Sequence, residues 1–358
     1  KVSSSTTVKK PSPTAPSSRS PTLSLMVERE ENIRKFVSRD YFEVHAEFAA
    51  KAGLYPAKWF NPQHKKTEDV EQKADRIWDE KQANAIAQAV RGKVATVTEE
   101  SKPANQASPL LFDLTSLQVE ANKKYGFSAD ETLKNVQSLY EKKIVTYPRV
   151  DTTYLSEDIY PKVEGILRNM QYYKRFTDTL LQKAVPKSKA VFDDKKVTDH
   201  HAIIPTGVNP SGLTPTENQI YDLIAKRFIA VFYPECKVSN TTVLGKVGTL
   251  VFKATGKQIL EPGWRVVYEE SRAETAALTE SREAKEESEE RVLPTFVEGE
   301  KGPHEPFVHK GKTSPPKPYT EATLLRAMET AGLILFTHEH PDHMGAALRL
   351  GFPLRLHQ

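Results

Sequence analysis

Apolar positions along this chain switch repeatedly between a period of two and a period of three to four, which predicts strands and helices in alternation. Residues 41–48, Tyr-Phe-Glu-Val-His-Ala-Glu-Phe, alternate as a half-buried strand does. Ahead of them Pro21 precedes a helical pattern that runs through Ile33 to about Phe36, with Thr22 as its candidate cap. Residues 67–91 again have a helical period, with Ala74, Ile77, Trp78, Ala85, Ala89 and Val90 as candidate core positions. A short strand is predicted at 94–97. The polar break at 99–108 is expected to be a domain hinge. Ser128-Ala129-Asp130-Glu131 has the form of a capping box, and the helix it opens carries Leu133, Val136 and Tyr140 on one face, with Gln137 and Glu141 side by side along its flank. Further helices are predicted at 156–170, 216–229 and 319–331, the last capped by Thr320, and strands at 237–254 around Gly245 and Gly248.

Composition narrows the class without choosing a function. At 358 residues the chain can bury the cores of two or three domains. Its 51 basic residues against 47 acidic ones leave a net charge of +4, which only weakly favours a polyanionic partner. A lone cysteine, Cys236, excludes an internal disulfide framework and fits a reducing compartment. No stretch approaches the roughly 20 apolar residues of a membrane helix. A cytoplasmic protein with no membrane partner is therefore expected. Residues 1–19 are rich in Ser, Pro and Lys and are expected to be a disordered lead, and the charged stretch 269–291 a solvated helix or mobile loop.

Candidate chemistry concentrates after the capping-box helix, at 142–152. There Tyr147 lies two residues from Arg149 and four from Asp151. A phenol with a pKa near 10 is a poor nucleophile at neutral pH, so phosphoryl chemistry needs cations that stabilise the phenolate and the phosphate. Arg149 can do both, and its planar fork suits a phosphodiester. Glu141 could exchange protons or hold a basic group in place. In isolation such a Tyr-x-Arg is most often a strand with one exposed aromatic. A second cluster, Asp199-His200-His201, could bind a metal, donate to a phosphate or be purely structural, and the metal reading lacks a spaced third ligand.

These residues also carry a family resemblance. Thr146-Tyr147-Pro148-Arg149-Val150-Asp151-Thr152 resembles the active-site signature of type IA DNA topoisomerases, particularly the topoisomerase III branch. His200-His201-Ala202-Ile203-Ile204-Pro205-Thr206 is similar to that family's second motif. Ser20-Pro21-Thr22-Leu23, Leu117-Gln118-Val119-Glu120-Ala121, Gln137-Ser138-Leu139-Tyr140-Glu141 and Thr313-Ser314-Pro315-Pro316-Lys317 extend the likeness over roughly residues 20–332. The resemblance implies a multidomain α+β fold, with a β-rich arch carrying a helical domain of winged-helix type that presents the tyrosine. Residues 20–37 and 313–332 would belong to a DNA-binding gate domain, truncated at its end, 38–105 and 224–312 to the arch, and 106–223 to the helical domain. Tyr147 would attack single-stranded DNA and become linked to a 5′ phosphate while another strand passes through the gap. Arg149 would orient the scissile phosphate and His200 would hydrogen-bond it. Gln137, Glu141, Thr146, Asp151, Thr152 and Lys317 would support the loop or the DNA.

The resemblance also implies Mg2+ held by an N-terminal Toprim domain, for which no acidic cluster precedes Glu28. The expectation is a fragment with impaired activity alone, which a separate Toprim-bearing chain could complete, acting on the bacterial nucleoid. The alternative is a single-stranded DNA-binding module without catalysis. Beyond Gly332 the sequence changes character, and His338-Glu339-His340-Pro341-Asp342-His343 resembles a metallo-β-lactamase ligand segment. Residues 333–358 are expected to be a tail in which His338, His340, Asp342 and His343 do not form a working zinc site. Metal-dependent hydrolysis by that tail is a third, weaker reading.

Overall fold

The computed structural model describes residues 21–269, apart from 52, 66 and 198, together with 293, 299 and 301–331. The lead 1–19, the tail 333–358 with its four candidate metal ligands, and all but residue 269 of the charged stretch 269–291 lie outside the described residues. The chain divides into two compact bodies, one made of residues up to 37 and from 315 onward, the other of 38–314.

In the smaller body, helix α1 (Pro21–Lys35) begins at the proline, so Thr22 lies in its first turn and is not the cap; its hydroxyl faces the Met328 sulfur at 3.8 Å. The Arg29 guanidinium covers the Tyr319 ring at 4.2 Å and donates to the Lys317 carbonyl at 3.2 Å. Thr320 caps the helix at Glu321–Thr330 (α8 in chain order) by accepting from the Thr323 amide, as its position predicts.

Among the described residues, the larger body contains one sheet of seven antiparallel strands and a group of helices. The strands are β1 (Asp40–Ala50), β2 (Gly53–Trp59), β3 (Ala95–Gln106), β4 (Cys236–Val247), β5 (Leu250–Glu261), β6 (Lys301–Gly302) and β7 (His304–Lys312), in the order β6-β3-β4-β5-β2-β1-β7. The two ends of that order, β6 and β7, are neighbouring pieces of one segment interrupted only by Pro303, so the sheet curls round into a closed ring. At the seam the Ala49 amide donates to the Pro303 carbonyl at 3.0 Å. Alternate residues of β1, namely Phe42, Val44, Ala46 and Phe48, fill the ring with Tyr55, Val97, Val243 and Phe252.

Two local expectations are corrected by this arrangement. Within 67–91 only α2 (Glu80–Val90) is helical, capped by Asp79, while Ile77 forms an isolated bridge to Phe42. Its buried face is Ala83, Ile86, Ala87 and Val90, and Ala85 and Ala89 are exposed. A run of alanines fits either face, so Ile86 and Val90 fix which one turns inward. The polar break at 99–108 is not a hinge, because 99–106 forms the outer half of β3, paired residue by residue with β4.

Helices α3 (Leu114–Tyr125), α4 (Ala129–Glu141), α5 (Tyr160–Asn169), α6 (Lys174–Leu181) and α7 (Pro215–Ala230) surround a second core, from Leu111 to Val267. The expected boundary between 223 and 224 falls inside α7, whose buried residues on both sides of it join this core. The long strands reach this layer. Trp264 donates its indole N–H to the Gln106 carbonyl at 2.9 Å, and Arg265 reaches the Gln106 side chain at 2.7 Å.

Candidate active site

Helix α4 delivers the chain to Tyr147 through a tightly specified stop. Ser128 caps its start by accepting from the Glu131 amide at 3.1 Å, and Thr132, Val136 and Leu139 face the core. At its end Lys143 adopts a left-handed conformation, φ 62°, the only non-glycine residue with positive φ among the described ones. The Lys143 amide then bonds the Tyr140 carbonyl at 2.8 Å and the Ile144 amide the Leu139 carbonyl at 2.9 Å. That pair of bonds is a Schellman ending, and Ile144 sits with Leu139 and Val136 in the helical core.

The next residues pair with the second motif. The Thr146 amide donates to the Ile204 carbonyl at 2.9 Å, and the Ile204 amide donates back to the Thr146 hydroxyl at 3.0 Å. The Thr206 hydroxyl donates to the Lys143 carbonyl at 2.6 Å. Ala202 accepts from the Thr146 hydroxyl through its carbonyl and donates to the Tyr154 carbonyl through its amide. Farther along, the buried Thr152 donates its hydroxyl to the Lys196 carbonyl at 2.6 Å, which fixes the segment leading into the histidines. Two stretches 58 residues apart in sequence are thus one hydrogen-bonded unit.

This unit brings the half-buried ring of Tyr147 against exposed His200, with centroids 4.6 Å apart and planes tilted by 42°. Tyr140, the residue before Glu141, packs edge-on against Tyr147 at 5.4 Å. Exposed Glu141 accepts from the Gln137 side chain at 3.3 Å on the same helix. Arg149 is half-buried and Asp151 exposed on the loop beyond the tyrosine. His201 turns the other way. Its Nδ1 donates to the Ala202 carbonyl at 2.7 Å, and burial pushes its pKa below the usual imidazole range. Lys317 belongs to the smaller body, near Arg29 and Tyr319. Among the described residues, no group of three or more His, Cys, Asp or Glu side chains is placed to hold a metal ion.

Two contributors to the site carry no sign of that role in the sequence. Tyr140 has the spacing of a core position, but it is exposed and serves as the wall of the tyrosine. Glu217 is the other. Thr214 and Glu217 form the capping box that opens α7, a Thr-x-x-Glu pattern legible in the sequence. The same carboxylate is buried and also accepts from Ser138 at 2.6 Å and from Lys142 at 2.7 Å with both oxygens, all on or beside the end of α4. Burial pushes its pKa up, but the Lys142 ammonium, the Ser138 hydroxyl and the Thr214 amide outweigh that and hold it at about 2.

Comparison with known proteins meets the same residues. A family model described as DNA topoisomerase matches residues 17–333. The DNA topoisomerase 3 of Bacillus licheniformis is 37% identical over 318 residues, covering 87% of this chain and 41% of that protein, and the Bacillus subtilis protein of the same name is 35% identical with the same coverage. The chain therefore spans about two-fifths of the length of these relatives. Among solved structures, the full-length topoisomerase I of Thermotoga maritima superposes with a TM-score of 0.61 at 23% identity, over 92% of this chain and 49% of that one, a likeness of fold. On the extent of the family match and the identity to topoisomerase 3 proteins, the chain belongs to the DNA topoisomerase family, as a type IA member of the topoisomerase III kind.

Proposed function

We propose that Tyr147 is the nucleophile of a type IA topoisomerase reaction on single-stranded DNA. The phenol oxygen forms a bond to a backbone phosphorus, the bond to the 3′ oxygen breaks, and that oxygen takes up a proton as the phenol loses its own. The strand is then held as a 5′-phosphotyrosine while another strand passes, and the 3′ hydroxyl reverses the step. The observation that carries this reading is the approach of His200 to Tyr147 at 4.6 Å, produced by two motifs clamped to one another. An exposed imidazole beside an accessible phenol can donate to a phosphate oxygen throughout cleavage. Arg149 supplies the bidentate contact to the same phosphate, Gln137 and Glu141 line the approach from α4, and Thr146, Asp151 and Thr152 hold the loop. Lys317 contributes to strand binding from the gate body.

The helical layer, 106–223 and onward through α7, acts as the winged-helix-type domain that presents the tyrosine, and the strand ring belongs to the arch. The side chains at this site do not by themselves fit a magnesium ion, as no acidic group of the needed number is gathered among the described residues. A Toprim-bearing segment or chain is the expected source of Mg2+. None of the described helices is long and apolar enough to cross a membrane. The proposed substrate is cytoplasmic, nucleoid DNA.

The test is to incubate the chain with end-labelled single-stranded DNA and magnesium, with and without a Toprim domain from a relative, and then to denature. A covalent adduct that disappears in Tyr147→Phe supports the reading. Tight binding with no adduct under either condition would assign the chain to strand binding alone.

A further inference from the structure

We infer that Glu217, 70 residues beyond the nucleophile and outside both motifs, is a positioning residue for Tyr147. The inference deepens the topoisomerase reading and rests on it for its catalytic consequence. The geometry is unusually convergent for a helix cap. A capping-box glutamate ordinarily needs only the amide at its own helix start, and Glu217 does accept from the Thr214 amide at 2.8 Å. Its two oxygens are also used by Ser138, one turn before the end of α4, and by Lys142, the first residue after it. One buried carboxylate therefore joins the start of α7 to the last turn of α4.

The residue after Lys142 makes that junction matter. Lys143 must hold a left-handed conformation that a lysine adopts only against a steric cost, because its Cβ crowds the following carbonyl oxygen. The two Schellman bonds and the Thr206 contact keep it there from the core side, and the Lys142–Glu217 pair pins the preceding residue from the other side. Tyr140, which lies between Ser138 and Lys142, is the side chain that walls Tyr147. A rotation or fraying of this last turn would therefore displace the edge-on ring and the take-off direction of residues 144–147 together. Displacements of about 1 Å at a reacting atom can cost on the order of 100-fold in rate. Glu217 touches neither Tyr147 nor His200 in this arrangement, so its effect passes through α4.

The test uses Glu217→Gln and Lys142→Met in the full chain, assayed well below their melting temperatures. Three quantities are compared with wild type: the rate of adduct formation on single-stranded DNA with magnesium and a relative's Toprim domain added, the affinity for that DNA, and hydrogen exchange at the amides of Lys143, Ile144 and Thr146. We expect adduct formation to fall at least about tenfold with affinity changed less than about twofold. We also expect faster exchange confined to those amides, and a double variant no worse than the more affected single one. Unchanged exchange and an unchanged adduct rate in either folded variant would overturn the inference, as would a rate loss that merely tracks DNA affinity. If Glu217→Gln fails to fold, Lys142→Met decides alone. If wild type forms no adduct even with magnesium and the Toprim domain present, the nucleophile reading fails, and the exchange measurement still decides whether Glu217 sets the tyrosine loop.

Discussion

The hydroxyl of Thr206 donates to the carbonyl of Lys143 at 2.6 Å, joining the last residue of the histidine motif to the turn that launches the tyrosine. A valine of nearly the same shape keeps the packing and removes the donor. Thr206→Val is expected to lower stability by about 1 kcal/mol and to speed exchange at the Ile144 amide, both readable by urea unfolding and NMR.

The backbone of Lys143 suggests the opposite change. Glycine adopts φ near 62° without steric cost, so Lys143→Gly is expected to raise stability by roughly 0.5–1 kcal/mol despite its larger unfolded-state entropy. A drop in the urea midpoint would mean that the lysine side chain holds the turn by contacts that outweigh the strain.

His200→Ala separates chemistry from binding. On the proposed role of His200 as a donor to the phosphate, its loss is expected to slow adduct formation about 100-fold, while affinity for single-stranded DNA, measured by anisotropy, stays close to wild type. An equal loss in both would place His200 in strand binding alone.

Acid should weaken both cores through two buried glutamates. The His45 ring and the Lys58 ammonium hold Glu43 at about 2 against the upward push of burial, and Lys142, Ser138 and Thr214 hold Glu217 at about 2. An unfolded glutamate titrates near 4.5, so the native state carries fewer protons between that value and 2. The stabilisation is complete above about pH 4.5 and is lost as pH falls toward 2. After allowance for solvent on Lys58 and Lys142, each contributes on the order of 2 kcal/mol. Urea midpoints measured from neutral to about pH 3 should fall in wild type and flatten in Glu43→Gln and Glu217→Gln.

Gly302 marks the seam of the strand ring. A methyl group there would land on the Ala49 carbonyl oxygen, and backbone cannot step aside as a side chain can. Gly302→Ala is expected to cost about 1–3 kcal/mol, measured as a lowered melting temperature.

The sequence exposes those parts of the fold that local chemistry dictates. Strand β1 alternates because one face is buried, and Ser128 and Thr320 announce their helices because capping needs a short polar side chain. The outer half of β3 is hidden because it is exposed on both faces and is held by backbone pairing with β4, which leaves no apolar period to read. Tyr147 and His200 are visible as motifs, but their contact depends on pairing between 144–146 and 203–206, which no local pattern encodes. Glu217 is legible as a cap; its second use depends on where α4 ends in space.

The closure of the sheet has a consequence for synthesis. The edge of β1 and the start of β3 gain their partners only when residues 301–312 arrive, with 304–312 pairing along β1 and 301–302 meeting Ala95 and Thr96 of β3. During translation the ring is therefore the last part of this body to complete, long after the tyrosine and its histidine have been made. A ribosome that stalls before residue 301 would release a chain whose helices around Tyr147 can already pack but whose open strands invite pairing with another chain.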